Sequence, residues 1–131
     1  MSVREEIENT CYRYARGFDE EDLDALTDCF TEDAEFFSGE LITGREEIRA
    51  FLTERRRMRA EAGERVRHVT SNIAIEQHGD DEARVHSYFT LVVTTPAGSG
   101  VGVVGTYTDR WVRQAGRWLI ASRHIARDQP E

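Results

Sequence analysis

The sequence predicts an α+β domain in which helices come first and an antiparallel sheet follows. In the first half of the 131-residue chain, apolar residues recur at spacings of three and four, the period of a helix packed on a core. From about residue 65 the period changes to two, and turn-rich segments separate four long strands. Helices followed by a run of strands favour helices packed on one sheet face. The length of the chain fits one domain over residues 1–131.

The first helix is predicted to begin with a capping box, because Ser2 is followed three residues later by Glu5. Apolar residues at helical spacing then define the face that we expect to be buried. This face consists of Val3, Ile7, Cys11, Tyr14 and Phe18.

Two further helices are predicted in the first half of the chain. Asp19 or Asp22 is the natural N-cap of the second helix, and Thr43 with Glu46 opens the third. The residues expected to face inward are Leu23, Leu26 and Phe30 in the second helix and Ile48, Phe51, Leu52 and Met58 in the third.

Strands are predicted in the remaining parts of the chain. A small hairpin turns at Ser38 and Gly39, and short turns join the four long strands into a meander. The predicted strands cover about residues 34–37, 40–42, 65–77, 82–95, 100–113 and 117–127.

Both faces of this predicted sheet carry apolar residues. Strict alternation puts Phe89 and Tyr88 on opposite faces of one strand, and it separates Ile120 from Ala121 and Ile125 on the last strand. A lone antiparallel sheet keeps one face polar and in contact with water. We therefore expect a homodimer in which a second copy covers the outer sheet face.

Composition excludes several classes of function. Acidic residues (25) outnumber basic residues (17), and the formal charge of −8 is opposite to that of a typical nucleic-acid binder. No apolar run approaches the ~18 residues of a membrane span, and the N-terminus lacks the apolar stretch of a signal peptide. With two cysteines only, the chain is expected to be cytoplasmic. Neither a metal-ligand cluster nor a dinucleotide fingerprint is present, so we expect no metal and no cofactor.

Three polar residues interrupt the apolar pattern of the first long strand. His68, Thr70 and Asn72 alternate onto one face, opposite Val69 and Ile73. A histidine is a candidate general base because its ordinary pKa of about 6.5 lies near working pH. The alternative interpretation is a structural histidine whose ring is hydrogen-bonded within the sheet.

Three other side chains have both a structural and a chemical interpretation. Arg123 falls on an apolar strand face, where it either binds an anion or pairs with Asp109 or Glu35, because an unpaired buried charge is costly. Asp19 either caps a helix or holds a histidine in one tautomer. Tyr14 is either a core residue or a hydrogen-bond donor in a pocket.

Six segments together resemble the SnoaL-like family of the nuclear transport factor two-like superfamily. The resemblance covers nearly the whole chain and implies a cone-shaped α+β barrel, with helices packed on a curved, mostly antiparallel sheet around an apolar pocket. The segments are YARGFDEEDLDAL (14–26), FTEDA (30–34), GREEIRAFL (44–52), RHVTSN (67–72), GTYTDR (105–110) and GRWLI (116–120).

Within this family, the pattern is most similar to dehydratase-type members: scytalone dehydratase, bile-acid 7α-dehydratase and hexachlorocyclohexane dehydrochlorinase. Their His–Asp dyad matches His68 and Asp19 here, a tyrosine of the bile-acid enzyme matches Tyr14, and an arginine on the last strand matches Arg123. The resemblance therefore implies four catalytic residues. The lysine that the dehydrochlorinase has in place of Tyr14 is absent.

The function expected from this resemblance is a cofactor-independent lyase acting on an apolar cyclic molecule, steroid-like or polyketide-like. His68 would remove a proton, and Asp19 would stabilise the resulting imidazolium. Tyr14 would donate to the departing hydroxyl or to the developing enolate oxygen, and Arg123 would support negative charge at the leaving group or on the substrate. Asn72 is expected to hydrogen-bond in the pocket. Its substrate-binding wall is expected to contain Phe37, Phe51, Phe89 and Trp111. Two alternatives stay open: an isomerase or cyclase with the same dyad, and a non-catalytic binding or dimerisation module.

Overall fold

The computed structural model describes residues 1–129, which form three helices and six strands. The helices are α1 (Val3–Asp19), α2 (Leu23–Thr27) and α3 (Arg45–Glu61). The strands are β1 (Phe30–Phe37), β2 (Leu41–Thr43), β3 (Arg65–His78), β4 (Glu82–Thr95), β5 (Gly98–Gln114) and β6 (Arg117–Arg127).

Helix α1 begins as the sequence predicts. The Ser2 hydroxyl accepts a hydrogen bond from the Glu5 backbone N–H, and the Glu5 carboxylate accepts one from the Ser2 backbone N–H. Both bonds satisfy amide groups that the first turn leaves free. The predicted apolar face is buried from Ile7 to Phe18 and packs on the sheet.

Helix α2 is shorter than predicted, because Phe30 belongs to the first strand and not to the helix. Its N-cap is Asp22, whose carboxylate accepts from the Ala25 backbone N–H at 3.1 Å. Asp19, the other candidate cap, is the last residue of α1 and has a different partner. A close approach of α1 to α2 requires Gly17, since a Cβ there would lie 2.7 Å from the Leu26 Cβ.

Helix α3 differs from the prediction at two points. Its N-cap is Gly44, which has no side chain to bond the first turn, so the expected cap formed by Thr43 and Glu46 is wrong. Ile48 and Leu52 are buried as expected, whereas the side chain of Met58 is half exposed on the solvent side.

The six strands form one curved, open sheet in the order β2-β1-β6-β5-β4-β3. All neighbouring strands are antiparallel except β1 and β6, which pair in parallel. The four long strands form the predicted meander, and the helices cover its concave face. The predicted α+β cone is therefore confirmed, with a sheet that does not close into a full barrel.

Two of the four register shifts in the sheet, one on β6 and one on β3, change which predicted site residues face the interior. On β6, Ile120 pairs with Trp111 and Ser122 pairs with Arg110, so Ala121 has no partner in the register. This extra residue brings Arg123 onto the same face as Ile120, where simple alternation had separated them.

The second bulge lies on β3. The register shifts between Ser71 and Ala74, and Asn72 adopts a positive φ of 54° within the bulge. Its side chain is exposed. The expectation that Asn72 shares an inner face with His68 and Thr70 is therefore wrong, because the bulge interrupts the alternation before it reaches Asn72.

The outer face of the sheet carries a few exposed apolar side chains. Val69, Tyr88 and Val104 are between 38% and 55% exposed. Leu119 and Ala121, which the sequence assigned to this second face, are already buried within one chain. The homodimer stays a prediction. Separately, none of the helices in residues 1–129 is long and apolar enough to cross a bilayer.

Replacing Gly17 with Ala is expected to lower the free energy of unfolding by up to about 2 kcal/mol. The new methyl group would overpack the contact with α2, and this effect outweighs the gain of about 1 kcal/mol in helix propensity. Urea denaturation measures the difference. Gly100→Ala is the control, since nothing lies within 4 Å of a Cβ there. Equal or higher stability of the Gly17 variant would contradict this packing.

Candidate functional site

The candidate site is a cavity of about 100 Å³ between the helices and the concave sheet face. Its wall is mostly aromatic and aliphatic, with one histidine, two tyrosines, one serine and three arginines among the polar groups. The residues contributed by helices are Tyr14, Phe18, Phe51, Leu52, Arg55 and Arg59. Strands and the β1–β2 turn contribute Phe36, Ser38, His68, Phe89, Leu91, Val103, Tyr107, Ile125 and Arg127.

His68 and Asp19 are paired at the wall of this cavity. The Asp19 carboxylate accepts two hydrogen bonds from one residue: its Oδ2 lies 2.8 Å from the His68 backbone N, and its Oδ1 lies 2.7 Å from the ring Nδ1. Both side chains are nearly buried, at 12% and 13% exposure. The end of α1 and the start of β3 are therefore tied together by the same carboxylate.

This geometry determines what the imidazole can do. With Nδ1 donating to a carboxylate, the neutral ring has its lone pair on Nε2, which is the nitrogen available to a substrate proton. A carboxylate at Nδ1 also stabilises the imidazolium that forms when Nε2 takes that proton. Phe18 packs edge-on to the ring at 5.1 Å between centroids and restricts its rotation.

Tyr14 lines the same cavity next to His68. The two rings are T-shaped, with centroids 6.3 Å apart. Burial raises the pKa of the Tyr14 hydroxyl above its usual value, and the charge of Arg123 only partly offsets this effect. The hydroxyl therefore keeps its proton at neutral pH and can serve as a hydrogen-bond donor inside the cavity.

Arg123 lies beneath this wall in a fully buried ion pair. Its Nε and Nη2 donate to the two oxygens of Asp109 at 3.0 and 2.9 Å, and the guanidinium carbon lies 4.4 Å from the Tyr14 ring centre and 4.0 Å from that of Tyr107. Burial alone would lower the pKa of Arg123, but the Asp109 carboxylate outweighs it and raises that pKa well above its ordinary range. Trp111 also donates to Asp109, at 3.1 Å.

Of the two interpretations of Arg123, the structure thus shows the salt bridge to Asp109. The guanidinium is not among the groups that line the cavity, although its Nη1 has no hydrogen-bond partner within residues 1–129. Its contacts are with the rings of Tyr14 and Tyr107. Tyr14 and Tyr107 thus lie between the Arg123 guanidinium and the cavity.

The residues predicted to bind substrate divide into two groups. Phe51 and Phe89 line the cavity. Phe37 instead stacks on His124, with ring centroids 4.5 Å apart, and its neighbour Phe36 faces the cavity. Trp111 is completely buried below the cavity, and Asn72 is exposed at the β3 bulge; neither contributes to the wall.

Several wall residues were missed by the sequence argument. Tyr107 stacks on Phe89 with centroids 4.7 Å apart, and burial raises its pKa well above the usual value. Its position opposite Tyr14, at 6.0 Å between centroids, depends on strand pairing and has no local signal. Arg127 was likewise not singled out, since exposed arginines are common in this sequence.

A second, more open groove of about 710 Å³ lies on the other side of the dyad. His68 and Asp19 both line it, together with Thr70 and polar residues of α1 such as Asn9 and Arg16. Tyr14 and the aromatic wall are absent from it. The dyad therefore lies between a partly open aromatic cavity and a more open groove, and the aromatic cavity is the better site for an apolar molecule.

No group of three or more His, Cys, Asp or Glu side chains among residues 1–129 is placed to hold a metal ion. Burial raises the pKa of Cys11 to about 11 and that of Cys29 to about 12, which keeps both thiols protonated and poorly nucleophilic at neutral pH.

Asp109→Asn is expected to lower the free energy of unfolding by about 3–5 kcal/mol, because it leaves the Arg123 charge buried without a counter-ion. Urea denaturation measures this loss. The matched control is Asp28→Asn, which removes an exposed ion pair with Arg117 and should cost about 1 kcal/mol or less. Similar losses for the two variants would show that the buried pair has no special importance.

Asp19→Ser is expected to change the tautomer of His68. In the wild-type protein the neutral ring should carry its proton on Nδ1, and without the carboxylate the Nε2–H form should also be populated. Long-range ¹H–¹⁵N NMR of the ring distinguishes the two forms. Asp22→Ser is the control, since serine caps a helix about as well as aspartate and leaves the dyad intact. A wild-type ring protonated on Nε2 would contradict the geometry.

Proteins of known structure share this fold, at sequence identities between about a fifth and a third. A variant of Rv3472, a Mycobacterium tuberculosis protein of unknown function, is 32% identical, with a TM-score of 0.84 over 95% of this chain and 71% of that one. ActVI-ORFA from Streptomyces coelicolor is 24% identical, with a TM-score of 0.89 over 98% and 97% of the two chains. No curated protein matches the sequence.

An NTF2-like protein with a cystatin-like fold, from Novosphingobium aromaticivorans, has a TM-score of 0.86 at 22% identity, over 98% of this chain and 83% of that one. Such low identity shows the fold alone. A family model described as the SnoaL-like domain matches residues 1–124, almost the entire chain. The predicted family is confirmed: this chain belongs to the SnoaL-like domain family, within the NTF2-like fold.

Proposed function

We propose that this chain is a cofactor-independent lyase that eliminates water from a small cyclic molecule bound in the aromatic cavity. The observation that carries the proposal is the 2.7 Å contact between His68 Nδ1 and the Asp19 carboxylate, at the wall of a cavity that also contains Tyr14. A histidine whose Nδ1 is held by a carboxylate, at the wall of a largely apolar cavity, is suited to proton abstraction.

The elimination uses three side chains in defined roles. His68 Nε2 takes a proton from a carbon next to a carbonyl, and the electron pair of that C–H bond forms an enolate whose oxygen accepts a hydrogen bond from Tyr14. The enolate then forms the carbon–carbon double bond as the C–O bond to the hydroxyl breaks, and the imidazolium returns its proton to the departing oxygen. Asp19 stabilises the imidazolium between the two steps.

The overall reaction releases one molecule of water, and its atoms and charges balance. The substrate loses one hydrogen and one hydroxyl group, the enzyme regains its starting protonation state, and no oxidant or reductant is needed. Arg123 takes part only through Tyr14 and Tyr107, whose rings it contacts. A cytoplasmic location and a dimeric state stay predictions beside this proposal.

The test uses β-hydroxy ketones built on one six-membered ring, such as 3-hydroxycyclohexanone, with product analysis by absorbance of the enone and by mass. His68→Gln is expected to reduce turnover by about 10²- to 10⁴-fold, the usual contribution of a general base. Asp19→Asn should also reduce turnover, because the imidazolium loses its counter-charge. The control is His86→Gln, an exposed histidine on β4 whose ring contacts Thr108.

The outcomes separate the proposal from its two rivals. A product of unchanged mass that depends on His68 indicates an isomerase or cyclase with the same dyad. Binding without turnover in the wild-type protein indicates a non-catalytic pocket protein. Turnover that survives in a folded His68→Gln variant would exclude the mechanism itself.

A further inference from the structure

The cavity has an unusual charge distribution at its mouth. Three arginines line it, Arg55 and Arg59 from α3 and Arg127 from the end of β6, and all three are partly or fully exposed. We call these residues the arginine rim. The chain contains 25 acidic residues, yet none of the described residues that line this cavity is acidic. A concentration of positive charge around one opening is thus found in a protein with a net charge of −8.

Two members of the rim, Arg55 and Arg127, have no carboxylate partner among residues 1–129, whereas Arg59 has one. The neighbours of Arg55 on the helix do form ion pairs: Arg56 pairs with Glu21, and Arg57 pairs with Glu54 and Glu61. The Arg55 guanidinium carbon lies 4.9 Å from the centre of the Phe51 ring, a cavity wall residue. Stacking on that ring holds the charge at the opening.

The other two members are held at the rim by hydrogen bonds. Arg127 Nη2 donates to the hydroxyl of Ser38 at 3.2 Å, and Ser38 is itself buried in the cavity wall. Arg59 pairs with Glu64 at 3.0 Å, so one of the three positive charges is largely compensated. The positive charges of Arg55 and Arg127 are therefore available to bind an anion at the mouth of the cavity.

We propose that the substrate carries a carboxylate that binds the arginine rim while its ring occupies the cavity. A volume of about 100 Å³ is smaller than the roughly 150 Å³ cavity that holds benzene in an engineered protein, so a substrate with one ring must extend its remaining atoms through the mouth. The planar guanidinium groups match the two oxygens of a carboxylate. A polyanion would meet stronger repulsion from the acidic protein.

That the ring end of the substrate reacts at the dyad rests on the proposed function. Binding of the carboxylate end to the arginine rim is independent of turnover. The charge at the mouth selects which ring compounds enter, and the dyad acts on those that do. Loss of the rim would weaken binding of acids, whereas loss of the dyad would stop turnover and leave the selection for acids unchanged.

The test compares three probes that share a phenyl ring: 3-phenylpropanoate, its neutral analogue 3-phenylpropanamide, and 2-phenylethyl phosphate. Dissociation constants come from ¹H–¹⁵N chemical-shift titrations at fixed ionic strength, followed at the backbone amides of cavity residues. In the wild-type protein the carboxylate should bind about 10-fold more tightly than the amide. Arg55→Gln should reduce that ratio to about 3-fold or less.

The matched control is Arg57→Gln, which removes one positive charge from the same helix at a position outside the cavity and should leave the 10-fold ratio unchanged. His68→Gln should also keep the ratio, which separates this test from the test of turnover. Equal binding of acid and amide, no binding of the acid to the cavity, or tighter binding of the phosphate would each overturn the carboxylate assignment.

Discussion

The buried pair of Arg123 and Asp109 is the interaction on which the candidate site depends. It joins β5 to β6 beneath the cavity, and the guanidinium lies against the rings of Tyr14 and Tyr107, which form opposite parts of the wall. A buried charge tolerates little displacement, because its desolvation is compensated only at hydrogen-bonding distance. Through the Tyr14 ring, the pair therefore helps to fix the position of helix α1 on the sheet. Helix α1 in turn places Asp19 next to His68.

Much of the fold and part of the site could be predicted from local patterns in the sequence. Three features depend only on residues close together in the sequence, so they can be predicted without knowledge of tertiary contacts. They are the capping box at Ser2, the apolar face of α1 and the strands with period-two alternation. The meeting of Asp19 with His68 was implied by family resemblance, because 49 positions separate them and no spacing rule connects them.

Two of the errors, the faces assigned to Arg123 and Asn72, share one physical cause: bulges depend on pairing between strands. One extra residue at Ala121 moves Arg123 to the interior face, and one within the β3 bulge leaves Asn72 outside. Period-two reasoning has no means of detecting such an insertion. Gly44 illustrates a related limit, since the backbone can begin helix α3 there without the side-chain cap that a sequence pattern requires.

The parallel pairing of β1 with β6 has a consequence for how the protein folds. Phe36 and Arg123 are partners in that pairing, although most of the chain lies between them. Contacts of such long range close a large loop and slow the search for the native state. During synthesis, the aromatic residues of β1 have to wait for the last strand to leave the ribosome. Until that pairing forms, the apolar side chains of β1 lack their partner strand, a condition that favours aggregation of a nascent chain.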